Sequence, residues 1–202
     1  DMDALPLDDE KTYDLLCRGD TKSVFQLGST GMQELLRRLK PRSIADIVAV
    51  VAMYRPGPLQ SGMVDDFIER RHGRRNISYV HPGLEPVLKD TYGVIVYQEQ
   101  IMRILHELGG LSLADALTTI KAISKKKAAQ IEKRSAEFLA GAEANGIPKQ
   151  TARELFDLIR NFAQYGFNRA HATAYAFLAY RTAWLKANYP MEFTAAGLTC
   201  EM

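Results

Sequence analysis

Apolar residues recur at helical spacing in one short segment after another, and proline or glycine closes nearly every segment. Ile44, Ile47, Val48 and Val51 share one helical face, as do Ile101, Ile104, Leu105 and Leu108. Ser43 with Asp46, and Thr30 with Gln33, have the spacing of a capped helix start. Lys40-Pro41, Gly109-Gly110 and Asn145-Gly146 read as stops. Further helices are expected over 62–71, 112–123, 125–144, from Pro148 to about Phe162, over 169–188 and from Pro190, with a weak helical patch at 9–17. Val24-Phe25-Gln26-Leu27 and Gly93-Val94-Ile95-Val96 are short apolar runs that read as strands. The fold class is therefore mostly α, a multi-helix domain with one or two very short strands. Residues 1–22 are polar and turn-rich and read as a linker; 23–202 read as the helical domain.

Arg55-Pro56-Gly57-Pro58 interrupts this pattern most sharply. Each proline fixes φ, lacks an N–H and pushes the preceding residue out of the helical region. The expected result is a rigid loop presenting Arg55, with Gln60 and Ser61 just beyond it. Arg55 is either a fixed contact for a ligand or a structural tie from loop to core.

At 202 residues with 47% apolar and 25% charged content, the chain has the composition of a folded domain. A net charge of +2 excludes a polyelectrolyte binder, yet the charge is uneven. Residues 1–14 hold six acids against one lysine, whereas 121–134 hold six Lys/Arg against one Glu. That asymmetry points to a local anion-facing patch. Cys17 and Cys200 fit no metal spacing and suggest a reducing, cytoplasmic setting. No apolar run nears the ~18 residues of a membrane span, and the acidic start is unlike a secretion signal. A chain running from Asp1-Met2-Asp3 to Glu201-Met202 reads as part of something larger.

The chemistry concentrates in Tyr165-Gly166-Phe167-Asn168-Arg169-Ala170-His171, where a glycine turn delivers an arginine and a histidine to the start of a long helix. Unpaired N–H groups and the positive dipole end at such a terminus attract phosphates. Arg forks onto two phosphate oxygens and His adds a donor or a proton. The bland alternative makes Arg169 a surface charge and His171 a packing residue. Tyr165 and Phe167 either stack on a base or sugar or belong to the core. Ser124-Lys125-Lys126-Lys127, at a helix junction, is either a solvated cluster or a phosphate grip. Gln98, where a short strand meets a helix, either buttresses a site or caps the helix. Asp1-Met2-Asp3 has D-x-D spacing without an apolar strand after it; Asp8-Asp9-Glu10 and Asp65-Asp66 read as solvated faces or caps. His72, His81 and His106 lack ligand-like spacing, so no metal site is expected. Neither a P-loop nor a G-x-S-x-G elbow is present.

Four stretches in order, GDTKSVFQLGSTGM (19–32), VAMYRPGPLQSGMVDDFIERRHG (51–73), TYGVIVYQEQIMRIL (91–105) and YGFNRAHATAYAFLAYRTAWLKANYPMEF (165–193), resemble the fingers region of the C-family replicative polymerases, the alpha subunits of bacterial DNA polymerase III. The resemblance implies a fingers domain following an absent palm, which would carry the catalytic aspartates and most of the Mg2+ coordination. It gives Arg169, His171, Lys121, Lys125 and Arg55 a triphosphate-facing role. More weakly, it assigns Tyr165, Asn168, Gln98, Gln60, Lys126, Lys127 and Arg181 to primer–template contact or buttressing. It implies dNTP, primer–template DNA, the palm and thumb, and a sliding clamp with other holoenzyme subunits as partners, in the cytoplasm at the nucleoid, with no membrane. Where the family reads RRAMGKK, this chain has Ile120-Lys121-Ala122-Ile123-Ser124-Lys125-Lys126. Ile120 replaces one arginine and Lys121 the other, and lysine lacks the bidentate fork.

Two other classes fit the residues without the resemblance. One is a non-enzymatic helical module that binds DNA or a protein, in which Arg169 and His171 matter no more than other surface charges. The other is a phosphate-ester enzyme using Asp65, Asp66 and Glu99, which requires metal binding by this chain itself.

Overall fold

The computed structural model describes Met2 and residues 4–201. Along the chain these form α1 (Glu10–Arg18), α2 (Thr30–Leu39), α3 (Ile44–Met53), α4 (Pro56–Gln60), α5 (Met63–Arg71), α6 (Glu85–Leu88), α7 (Gln98–Glu107), α8 (Leu113–Ser124), α9 (Ala128–Ala144), α10 (Lys149–Phe162), α11 (Arg169–Asn188) and α12 (Pro190–Glu201). They divide into two compact units, one of 1–55 with 169–202, the other of 56–168. Among the described residues no helix is long and apolar enough to cross a membrane.

In the first unit α11 packs against α3 and α1, and α1 against α2. The Ser43–Asp46 capping box starts α3 as expected, with the Asp46 carboxylate accepting from the Ser43 and Arg42 backbone N–H groups at 3.1 and 2.8 Å. Beyond it α3 is nearly all apolar and buried on most sides. The buried face of α11 consists of Ala172, Ala176, Ala179, Tyr180 and Ala183. Alanines on a contact face let two helix axes approach closely. The fully buried Tyr180 reaches back to the chain start, donating its hydroxyl proton to the Pro6 carbonyl at 2.6 Å.

In the second unit α7, α8, α9 and α10 pack each against the next. Their core draws Ile101, Ile104 and Leu105 from α7 and Ile120 and Ile123 from α8. It takes Phe138 from α9, and Leu155, Phe156 and Ile159 from α10. The helical face expected over 97–108 is thus the buried face of α7.

The fold is mostly helical, but several local expectations need correction. Val24–Leu27 is a pair of turns rather than a strand: Val24 and Leu27 donate back to Thr21 and Val24, and the Thr21 hydroxyl donates to the Leu27 carbonyl at 2.5 Å. Gly93 lies in a turn at a φ of 77°, and 94–96 form no ladder. The Val96 N–H and the Val94 carbonyl are taken by the side chains of Gln100 and Thr91, and the pairing left among the described residues is one parallel bridge, Tyr97 with Phe167. Ser29, not Thr30, caps α2, while Gln33 binds the Gly28 carbonyl instead of closing a capping box. Arg55–Pro58, expected as a rigid loop, runs into a helix at Pro56. Pro56 opens α4, since a missing N–H costs nothing at a first helical position. The weak helical patch expected at 9–17, by contrast, is present as α1.

Candidate functional site

The first unit presents its charge at the start of α11. Arg169 is the first helical residue, His171 follows two positions on, both are exposed, and the first turn holds no acid. Positions two apart lie on different sides of a helix. The two therefore serve one anion only if it sits near the helix axis, beyond the terminus, where the first-turn N–H groups also point. The His171 ring lies against Tyr175 with centroids 4.3 Å apart, and Tyr175 lies against Phe25 at 5.6 Å. The Phe25 N–H is anchored on the Thr182 hydroxyl at 3.1 Å. His171, Tyr175 and Thr182 share a helix face, so a strip of rings runs back from the charged end. Sequence reasoning missed this strip. The His171–Tyr175 spacing of four was a usable signal, but nothing in the sequence announced Phe25. Arg181 does not join it: twelve positions from Arg169, it is ~18 Å along the helix axis and about a third of a turn around. Arg55 is half-buried and its Nε donates to the Ala52 carbonyl at 2.9 Å, tying it to the end of α3. Burial pushes its pKa below the ordinary arginine value.

In the second unit the glycine of the 165–171 motif is buried because there is no room beside it. A Cβ on Gly166 would lie 3.0 Å from Ile101 and 3.2 Å from Gln98. This close approach lets Phe167 donate to the Val96 carbonyl at 3.0 Å and accept from the Gln98 N–H at 2.9 Å. The Tyr165 ring covers Gly57 at the start of α4, where a Cβ would come within 2.6 Å of it. Two of the sequence motifs therefore meet through Tyr165. Gln60 ends α4 exposed, and Asn168 is exposed after the bridge.

The residue that supports this region is Gln100 rather than Gln98. Gln100 is buried; its Oε1 accepts from the Val96 and Tyr97 N–H groups at 2.9 and 3.0 Å. Its Nε2 donates to the Thr91 hydroxyl at 2.7 Å and the Val87 carbonyl at 3.3 Å. Thr91 in turn donates to Val94 at 2.6 Å. One amide thus replaces the strand partner that 94–97 lacks. Its place three residues into a helix opened by Tyr97 is the sequence signal for it.

The lysine run is divided by its backbone. Lys121, Lys125 and Lys127 line a cavity of about 230 Å³ at the α8–α9 junction, together with Thr118, Ala122 and Gln130. Lys126, at a φ of 52°, instead lines a cleft of about 700 Å³ between α9 and α10. A left-handed φ on a residue with a Cβ costs ~1 kcal/mol or more. Ile120 is buried in the core, so it presents nothing to a ligand.

The carboxylates do not gather. Asp1 and Asp3 of the D-x-D pattern lie outside the described residues. Asp66 pairs with Arg75, Asp65 is exposed, and Glu99 sits in the first turn of α7. Asp9 caps α1, accepting from the Thr12 N–H and hydroxyl at 2.9 and 2.6 Å. His81 caps a turn by accepting from the Gly83 N–H at 3.1 Å. Among the described residues no group of three or more His, Cys, Asp or Glu is placed to hold a metal ion. The described side chains therefore do not fit a two-metal centre.

Each of the two helical units exposes cations at a helix end. The model of the bacterial DNA polymerase III alpha subunit finger domain matches residues 1–146, which include the first three motifs. The fourth is covered by whole-chain relatives. DNA polymerase III subunit alpha of Escherichia coli K12 is 51% identical over 100% of this chain, and that of Pseudomonas aeruginosa PAO1 50% over 100%. The Aquifex aeolicus VF5 subunit is 53% identical over 98% of it. The chain belongs to the bacterial DNA polymerase III alpha subunit finger-domain family. It spans 17–18% of the length of these curated relatives.

Proposed function

We propose that this domain positions the incoming deoxynucleoside triphosphate and the primer–template in a cytoplasmic, template-directed DNA polymerase. In that reaction the primer 3′ oxygen bonds to the α-phosphorus and the bond to pyrophosphate breaks. The catalytic aspartates, and the Mg2+ they would hold, belong on this reading to a palm outside these residues. The observation that carries the reading is the start of α11: an exposed Arg and His at an acid-free helix terminus, backed by a strip of rings. Arg169, His171 and the terminal N–H groups meet phosphate oxygens, and Tyr175 with Phe25 offers a flat face to a base or sugar. Lys121 and Lys125 add point charges toward phosphate, without the fork of the arginines usual in the family. Arg55, held by Ala52 on a short leash, is a further candidate cation. The domain's contribution is orientation and electrostatic stabilisation of charge that develops on the leaving phosphates.

The test is single-turnover incorporation by the full-length polypeptide, wild type against Arg169→Ala, across dNTP concentrations at saturating primer–template. The expected loss is ~10²-fold in rate over apparent nucleotide affinity, about 2.7 kcal/mol. If DNA affinity falls while incorporation at saturating DNA holds, Arg169 is a DNA-backbone contact and the triphosphate reading fails.

A further inference from the structure

The chain passes between the two units twice, at 55–56 and at 168–169. On the side of the second unit, both passages are held at one place. Just past the first, the Tyr165 ring lies over Gly57, so close that a Cβ there would stand 2.6 and 2.7 Å from two ring carbons. Pro56 and Pro58 fix φ on either side of Gly57, so the surface under the ring is stiff. Just before the second passage, Phe167 donates to the Val96 carbonyl at 3.0 Å and accepts from the Gln98 N–H at 2.9 Å. Gly166 makes the room for that bridge. Neither Gly57 nor Gly166 has a positive φ, so space rather than backbone freedom calls for glycine at both. On the side of the first unit, each passage is flanked by a cation: Arg55 is the last residue before the first, and Arg169 the first residue after the second.

We propose that Tyr165 is a positioning residue for Arg55 and Arg169. By tying the two passages to each other, it fixes the places from which both cations reach the phosphates of the incoming nucleotide; the role rests on the triphosphate reading above. What it requires of Tyr165 is ring volume over Gly57, not contact with substrate. The tolerance is small. Ordinary carbon contacts lie at ~3.5–4.0 Å, so a methyl group on Gly57 would displace the ring or α4 by ~1 Å. Misplacement of that size costs up to ~10²-fold in rate.

The experiment is single-turnover incorporation by the full-length polypeptide at saturating primer–template, across dNTP concentrations, with urea unfolding of the same chains. Gly57→Ala and Tyr165→Ala should each lower the maximal rate at least ~10-fold, with primer–template affinity held within about twofold. Tyr165→Phe keeps the ring and should stay near wild type. Phe138→Leu, in the core of the second unit, should lose stability yet keep the rate. Because Tyr165 acts through the cations, Tyr165→Ala added to Arg169→Ala should cost at most ~3-fold more. A full ~10-fold loss on top of Arg169→Ala, or a costly Tyr165→Ala beside a silent Gly57→Ala, would mean that the ring meets the substrate itself, and the positioning role fails. It fails too if neither variant loses rate, or if Phe138→Leu loses rate in step with its stability as they do. An Arg169→Ala chain at wild-type rate removes the triphosphate reading and this role with it, whereas an intact Arg169 effect with an additive Tyr165 loss removes this role alone.

Discussion

The two units hold their exposed charges by opposite means. In the first, the presenting helix α11 is fixed by close apolar contact, four alanines and a tyrosine on its buried face, with α3 as its main neighbour. In the second, an extended segment leading into α7 is fixed by one buried amide, Gln100, and the hydroxyl of Thr91. Apolar packing fixes the helix axis without using the exposed Arg169 and His171 side chains of its first turn for that packing. The Arg169 end can therefore bring a guanidinium, an imidazole and rings together. A polar hub spends its hydrogen bonds inward, and the cations of that unit appear on a separate helix junction as lysines without rings. The first arrangement suits recognition of a flat group joined to a phosphate; the second unit offers charge alone.

The comparison breaks most readily at its polar half. Gln100→Ala leaves the Val96 and Tyr97 N–H groups without their acceptor in a buried place, and orphaned buried donors cost ~1–3 kcal/mol each. We expect a loss of about 3 kcal/mol in urea unfolding, with Gln98→Ala on the same chain costing a fraction of that. A loss under ~1 kcal/mol for Gln100→Ala would mean that water replaces the amide, and the hub would not be what holds the segment.

The apolar half is sharpened by Tyr175. Stacking of a base on an aromatic side chain is worth ~1–3 kcal/mol, so Tyr175→Ala in the full-length polypeptide should weaken apparent dNTP affinity by ~30-fold. Tyr175→Phe keeps the ring and should stay within about twofold. If the two variants lose equally, the hydroxyl matters and the strip of rings is not a stacking face.

What was legible in the sequence follows from range. Helices announced themselves through local periodicity, and α7, α8, α10 and α11 begin and end within a few residues of where spacing and stop signals put them. The capping box of α3 was read directly because its two partners are three residues apart. The misread strands at 24–27 and 93–96 have the apolar content of strands. Some of their backbone polar groups, however, are satisfied by the side chains of Thr21, Thr91 and Gln100 and others by turns, and composition does not reveal such substitutes. The same limit applies to the sites. Arg169 and His171 were legible from a turn and a helix start, but Phe25 reaches Tyr175 across 150 residues of sequence. The split of the lysine run depends on the left-handed φ of Lys126, a backbone choice that four consecutive polar residues do not disclose.

The smallest effect expected concerns how the chain start is tied to α11. Asp9 caps α1, and its carboxylate also accepts from the Asn188 amide at 3.2 Å, while its N–H donates to the Tyr180 hydroxyl at 3.3 Å. Partial burial alone would raise its pKa; the hydrogen bonds from Thr12 and Asn188 outweigh that and bring it below the usual aspartate value. A carboxyl lowered in the folded state contributes stability above its unfolded pKa and loses it as pH falls through the folded value. Asp9→Ala removes the cap and should cost ~1 kcal/mol at neutral pH. Asp9→Asn retains a competent cap, so it should cost less and flatten the acid limb of the stability curve. The check is urea unfolding of the three chains from neutral pH down through the carboxylate range. The gap between wild type and Asp9→Asn should be constant at neutral pH and close on acidification. A gap that widens toward low pH would show that the ionised form of Asp9 is not the one the fold favours, and that the tie to α11 rests on Tyr180 alone.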